Sequence, residues 1–179
     1  LTDAEILKAV ADGNNAPYRI LVDRYKDRIA ATIYGMLGPQ ADEAEDVGQE
    51  VFIRFFKAIP NFRGDAAVST YLTRIAMNLS LNAIKKRQRE QSRFRSIDEM
   101  DTDFADHSKT DDNVDRELVH KAIHKLPEHY RAVVVLRFMD GYSSQETADI
   151  LKVPLGTVLS RLKRAQEKLK VILTPQLEV

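Results

Sequence analysis

Residues 143–170 read SSQETADILKVPLGTVLSRLKRAQEKLK, and their spacing decides the fold. Ser143, Ser144, Gln145 and Glu146 form a capping box, in which a serine and a glutamate satisfy each other's exposed amides at a helix start. This predicts a helix from Ser144 to Leu151. A short break follows, and a second helix is predicted from Leu155 to about Ile172, with Val158, Leu162, Ala165 and Leu169 as its buried stripe. Thr157, Arg161, Arg164 and Lys168 make up the opposite face. Ala148 permits a close crossing of the two helices, and Leu151 and Val153 bracket the turn between them. Two helices so arranged are a helix-turn-helix, whose second member enters a DNA major groove and meets base edges with its early residues. Ser160 and Arg161 suit bases; Lys163, Arg164 and Lys168 suit phosphates. An amphipathic helix in an ordinary bundle is the plainer alternative.

The same helical periodicity runs outward through the chain, and no alternating strand pattern persists, so the fold class is all-α. A short helix is expected from about Asp3 to Ala11, and a longer one after Pro17 carries Leu21, Tyr25, Ile29, Ile33 and Leu37. The next, about Asp42 to Ala58, repeats Ala44, Val47, Val51, Phe52 and Phe55 until Pro60 intervenes. After the loop NFRGDAAV, a helix opening near Ser69 points Leu72, Ile75, Ala76, Leu79 and Ala83 inward. Further helices are expected at Val114 to Lys125 and Pro127 to Met139, the latter stopped by Gly141. Residues 91–113 lose periodicity and fill with Asp, Ser and Thr, which predicts a flexible acidic linker. The expected architecture is two small helical domains, 1–90 and 114–179, joined by that linker.

The formal net charge is zero, 27 Lys and Arg against 27 Asp and Glu, but its distribution is uneven. Residues 74–95 hold seven cations against one acid, and residues 152–170 six against one. Between them, residues 96–117 hold nine acids against two cations. Clustered Lys and Arg gain free energy by releasing counterions from a phosphate backbone, so two basic patches point to nucleic acid although the sum does not. With 44% hydrophobic residues, the 179-residue chain can bury a core. Zero cysteines exclude disulfides, thiolate zinc sites and a cysteine nucleophile. No window resembles a membrane span or signal peptide, so a cytoplasmic protein without direct membrane insertion is expected.

DVGQEVFIRFF, Asp46 to Phe56, followed by NFRGDAAVSTYLTRIAMNLSLNAIKKRQR, resembles region 2 of the sigma-70 family, specifically its extracytoplasmic-function (group 4) sigma factors. LPEHYRAVVVLRFMDGYSSQETADILKVPLGTVLSRLKRAQEKL, Leu126 to Leu169, resembles their region 4. The resemblance implies a factor that binds core RNA polymerase, recognises the minus-10 and minus-35 promoter elements and opens the duplex. Asp46, Gln49, Glu50 and Phe52 would then dock the polymerase β′ clamp helices, with the β flap as a further partner. The loop Phe62, Arg63, Gly64, Asp65, Ala66 and Ala67, with Arg74, Asn78, Lys85, Lys86 and Arg87, would take the minus-10 element, Asn78 helping to hold a flipped base. Thr157, Ser160, Arg161, Lys163, Arg164 and Lys168 would take the minus-35 element. An anti-sigma factor is implied as regulator, and the acidic linker would pass through polymerase channels otherwise used by nucleic acid. Two positions depart from the family pattern: Gly48, where a larger residue is usual, and Leu159, where relatives often have Arg or Lys. Tyr71 replaces a common tryptophan and is expected in the core.

No cofactor, catalytic residue or metal is expected. His120, His124 and Glu117 could share a helical face, but that segment reads as solvated or interfacial. Two other readings compete. A sigma mimic that titrates an anti-sigma factor would tend to lose basic contacts, yet Arg161, Arg164 and the run from Lys85 to Arg89 remain. A regulator binding free DNA through the last domain leaves the Asp46-Gln49-Glu50 arc unexplained.

Overall fold

The computed structural model describes residues 1–94 and 111–177, and every element among them is helical. Helix α1 (Asp3–Ala11) begins at a capping box, in which the Glu5 amide donates to Thr2 Oγ1 at 3.3 Å and the Thr2 amide donates to Glu5 Oε2 at 2.6 Å. Asp3 ties it to α2 (Tyr18–Leu37): the Tyr25 hydroxyl donates to its carboxylate at 2.5 Å and the Arg24 guanidinium pairs with it. α3 (Ala44–Ala58) ends in a 3-10 turn, Ile59–Asn61, and α4 (Val68–Phe94) packs with α2 and α3 around Leu21, Ile33, Val51, Phe55, Leu72 and Met77. These apolar residues recur at helical spacing, so three amphipathic stripes close on one another.

The C-terminal half contains α5 (Asp111–His124), α6 (Glu128–Val134), α7 (Ser144–Leu151) and α8 (Leu155–Leu177). α6 continues as a π-helical segment, Val135–Met139, in place of the regular helix expected to Met139. Gly141, with φ of 77°, turns the chain after it.

Both halves share one core, in which Leu126, Val135, Leu136, Tyr142 and Ile150 join the N-terminal residues. Gly35 lets the π-helical segment lie against α2: a Cβ there would stand 3.1 Å from a Val135 methyl and 3.2 Å from Met139 Cε. Polar bonds cross the same seam. The Thr32 hydroxyl donates to Asp140 Oδ2 at 2.9 Å, and Thr73 and Tyr142 hydroxyls meet at 3.0 Å. Arg131 donates to the carbonyls of Met36, His124 and Leu126 at 2.5–2.9 Å, capping helix ends from both halves. Arg28 lies over the Tyr142 ring, 5.3 Å from its centroid.

The expected linker narrows at both ends. α4 runs to Phe94 because its Lys, Arg, Gln and Glu are strong helix formers even without an apolar stripe. α5 starts at Asp111. The rest of the linker lies outside the described residues.

Candidate functional site

Three polar surfaces stand on this frame. On α3, Ala44, Val51 and Phe55 turn inward, which leaves Asp46 and Gln49 exposed on the other side. Glu50 is partly exposed, and its carboxylate accepts from Arg54 Nε at 2.7 Å, an i,i+4 pair. Phe52 does not share this surface in the way expected. Its ring packs onto the core and its carbonyl accepts from the Tyr18 hydroxyl at 2.6 Å. Ile53, 46% exposed, stands four residues from Gln49 and seven from Asp46 and adds an apolar contact to that arc. Counting helical angles along α3 would have found it; a motif read as polar letters did not.

The second surface is the 62–67 loop with the outer side of α4. Phe62 is an anchor, because its ring meets Phe55 and Tyr71 edge-on, with centroids 5.6 and 5.2 Å away. Tyr71, expected in the core, is partly buried and packs against it. Arg63, Gly64, Asp65 and Ala67 remain exposed and Ala66 partly so, with Gly64 at φ of 75°, a conformation favouring glycine. Asn78, Lys85 and Lys86 are exposed. Two expected contacts are not freely presented. Arg74 is partly buried and its Nε is shielded from solvent, since α4 is flanked by other helices on more than one side. Arg87 pairs with Glu43, its Nε 3.0 Å from Oε1. Burial pushes the Glu43 carboxyl up, but its own backbone amide and the Arg87 guanidinium outweigh that and hold it below the usual range.

The third surface is built on the helix-turn-helix. Ser143 Oγ accepts from the Glu146 amide at 3.1 Å and the Ser143 amide donates to Glu146 Oε2 at 2.7 Å, so α7 starts where the capping box required. α7 ends at Lys152, whose left-handed backbone (φ 54°, ψ 46°) makes the turn. Val133, Ala148 and Val158 then form a separate small core beneath the crossing, with Leu151, Val153 and Leu162 around it. That core sets α8 outward. Ser160, Lys163, Arg164 and Lys168 are exposed, whereas Thr157 and Arg161 are partly buried at the flank of the inward stripe. The Ser160 hydroxyl donates to the Thr157 carbonyl at 3.0 Å, and Lys168 lies over the Tyr130 ring at 5.8 Å.

The possible metal cluster is dispersed. Glu117 accepts from Lys121 at 3.1 Å, while the His124 ring faces Gly38 across the seam. Among the described residues no group of three or more His, Cys, Asp or Glu side chains could hold a metal, and no helix is long and apolar enough to cross a membrane. The surfaces offer charge, amides and aromatic or aliphatic contacts, which suit binding.

Comparison with known proteins identifies both halves of the chain. The family model for sigma-70 region 2 matches residues 21–90, and that for sigma-70 region 4 matches residues 116–169. The RNA polymerase sigma-H factor of Pseudomonas aeruginosa is 34% identical over 186 residues, covering 98% of this chain and 95% of its own. The ECF RNA polymerase sigma factor SigW of Bacillus subtilis is 36% identical over 174 residues, 92% of each chain. The ECF RNA polymerase sigma-E factor of Escherichia coli is 34% identical over 177 residues, covering 93% of this chain and 92% of its own. Among solved structures, the sigma factor RpoE in complex with the anti-sigma factor NepR from Bartonella quintana is similar with a TM-score of 0.69 at 20% identity, covering 87% of this chain and 96% of that one. CnrH in complex with the cytosolic domain of CnrY gives 0.67 at 24% identity, covering 96% of each. At these identities the two structures speak for the fold.

Proposed function

This chain belongs to the sigma-70 family as an extracytoplasmic-function RNA polymerase sigma factor, and from that premise we propose how its three surfaces divide the work. The exposed Asp46 and Gln49, with Glu50 and Ile53 beside them, dock the β′ clamp helices of core polymerase, and the β flap is a further contact. The 62–67 loop and Asn78 hold bases extruded from the minus-10 element; Lys85 and Lys86 neutralise nearby phosphates. An amide can pair with a base edge, and holding a flipped base offsets the few kcal/mol of unstacking, so binding energy opens the duplex without ATP. α8 enters the major groove of the minus-35 element, Ser160 and Arg161 toward bases and Lys163, Arg164 and Lys168 toward phosphates. Phe62 serves by anchoring its loop from within, and Phe52 by packing α3.

The units proposed for these tasks are 1–90 and 114–179. The protein acts in the cytoplasm as a group 4 sigma factor, without catalytic chemistry of its own, under an anti-sigma factor. Support for that control comes from two similar structures, one a complex of a sigma factor with the anti-sigma factor NepR and the other a complex of CnrH with the cytosolic domain of CnrY.

The observation that carries the proposal is the pairing of an outward basic α8 over the Val133, Ala148 and Val158 core with the exposed Asp46 and Gln49 of the other half. In vitro transcription with purified core polymerase tests it: promoter-specific transcript is expected, and duplex binding without core dependence would overturn it. Asp46→Ala with Gln49→Ala should weaken core association, and unchanged capture of core would refute that assignment.

A further inference from the structure

Two leucines interrupt the polar outer side of α8. Leu155 is 39% and Leu159 51% exposed. They are four residues apart, so they lie one above the other along the helix. Neither belongs to the small core under the crossing. At Gly156, next to Leu155, nothing lies within 4 Å of where a Cβ would stand, so that position opens to space. Their surroundings are cationic, and from Lys152 to Gln166 the chain has no acid.

A protein partner would find a small apolar spot with Lys163 one turn beyond it and no acid in the stretch around it. A DNA major groove offers a better match: phosphates suit the cations, and one apolar feature of the groove floor, the thymine C5-methyl group, suits a leucine. The first two turns of the second helix in a helix-turn-helix are the part that meets base edges, and both leucines are there.

We propose that Leu159, backed by Leu155, is a specificity-determining contact that reads thymine methyl groups in the upstream promoter element. The proposal rests on the assignment of α8 to that element. Its consequence is a preference for A·T pairs at one or two adjacent positions, set by a methyl group and not by a hydrogen bond. Ser160 and Arg161 then read the neighbouring polar edges.

Deoxyuridine separates the two causes, because it keeps every hydrogen-bonding group of thymidine and lacks the methyl. Holoenzyme made with wild-type chain would first select preferred upstream segments from a promoter library. Single thymines on either strand of the selected promoter would then be replaced by deoxyuridine. Burying one methyl is worth about fourfold in affinity, so the wild type should lose about fourfold at one or two positions. Leu159→Ala should be weaker on the thymine promoter by a similar factor and indifferent to uracil there, while Leu159→Met keeps the penalty. Wild-type holoenzyme that prefers an upstream sequence but ignores every uracil replacement overturns the methyl contact alone. Equal uracil penalties in wild type and Leu159→Ala overturn the assignment to Leu159. No upstream preference at all overturns both this inference and the placement of α8.

Discussion

Asp140 sits in the seam between the two helical halves, and replacing it with asparagine should raise stability at neutral pH. Burial pushes its carboxyl up to about 6, outweighing the Thr32 hydroxyl and the Arg28 guanidinium, which pull it down. An unfolded aspartate titrates near 3.9. The folded chain therefore holds this proton more tightly, and the associated stability, present below about pH 4, is lost as pH rises to about 6. Two pH units correspond to about 2.7 kcal/mol, which solvent access to the carboxyl reduces to about 1–2 kcal/mol. His124 carries the opposite sign. Burial, and then the Arg131 guanidinium, lower it to about 4, although the Tyr34 carbonyl opposes them. Its contribution is present above about pH 6.5 and is lost as pH falls toward 4, again about 1–2 kcal/mol after the same allowance. The two nearly cancel over one window. Urea denaturation from pH 4 to 7.5 should thus show Asp140→Asn gaining a limb that rises with pH relative to wild type, and His124→Asn one that falls. At pH 7.5 Asp140→Asn should melt about 2–8 °C higher than wild type. Asparagine still accepts from Thr32, so a lower melting temperature at pH 7.5, or unaltered pH profiles in both variants, would refute the reasoning.

Gly48→Ala should stabilise the chain by about 1 kcal/mol through helix propensity, because its Cβ would meet Ile33 Cδ1 at an ordinary 3.8 Å. Gly35→Ala should cancel or reverse that gain by crowding Val135 and Met139, and urea midpoints compare the two directly. Ser143→Ala removes the hydroxyl that accepts from the Glu146 amide, leaving only the Ser143 backbone amide's bond to Glu146 Oε2, and should cost about 1 kcal/mol, read as earlier amide exchange in α7. Asn78→Ala should leave closed-complex binding nearly intact and slow promoter opening; normal permanganate reactivity of the melted region would count against the base-holding role.

Much of this was legible because its cause is local. The capping box at Ser143 and the apolar spacing of Val158, Leu162 and Ala165 place the helix-turn-helix without reference to the rest of the chain. Asp46 and Gln49 are exposed because α3 has one apolar stripe and they lie off it. What local pattern misses is long-range pairing. Thr32 and Asp140 are 108 positions apart, and Glu43 and Arg87 are 44 apart; no periodicity connects them. Local pattern therefore gives no sign that Arg87 is held by Glu43 or that Arg74 is partly buried. Phe62 shows the same failure at short range, since a loop aromatic reads as available until Phe55 and Tyr71 are seen to enclose it.

The seam where Gly35 admits Val135 and Met139 has a calorimetric consequence. Spreading the halves apart would wet that apolar surface along with Tyr142, and hydrating apolar area raises heat capacity. If core polymerase engages a spread form, its own newly covered surface lowers heat capacity while the opened seam raises it. Titration across a range of temperatures should then record a smaller heat-capacity decrement than the contact area would supply. Cutting the seam by Gly35→Leu should restore the missing part; an unchanged decrement would mean that the halves stay together on the enzyme.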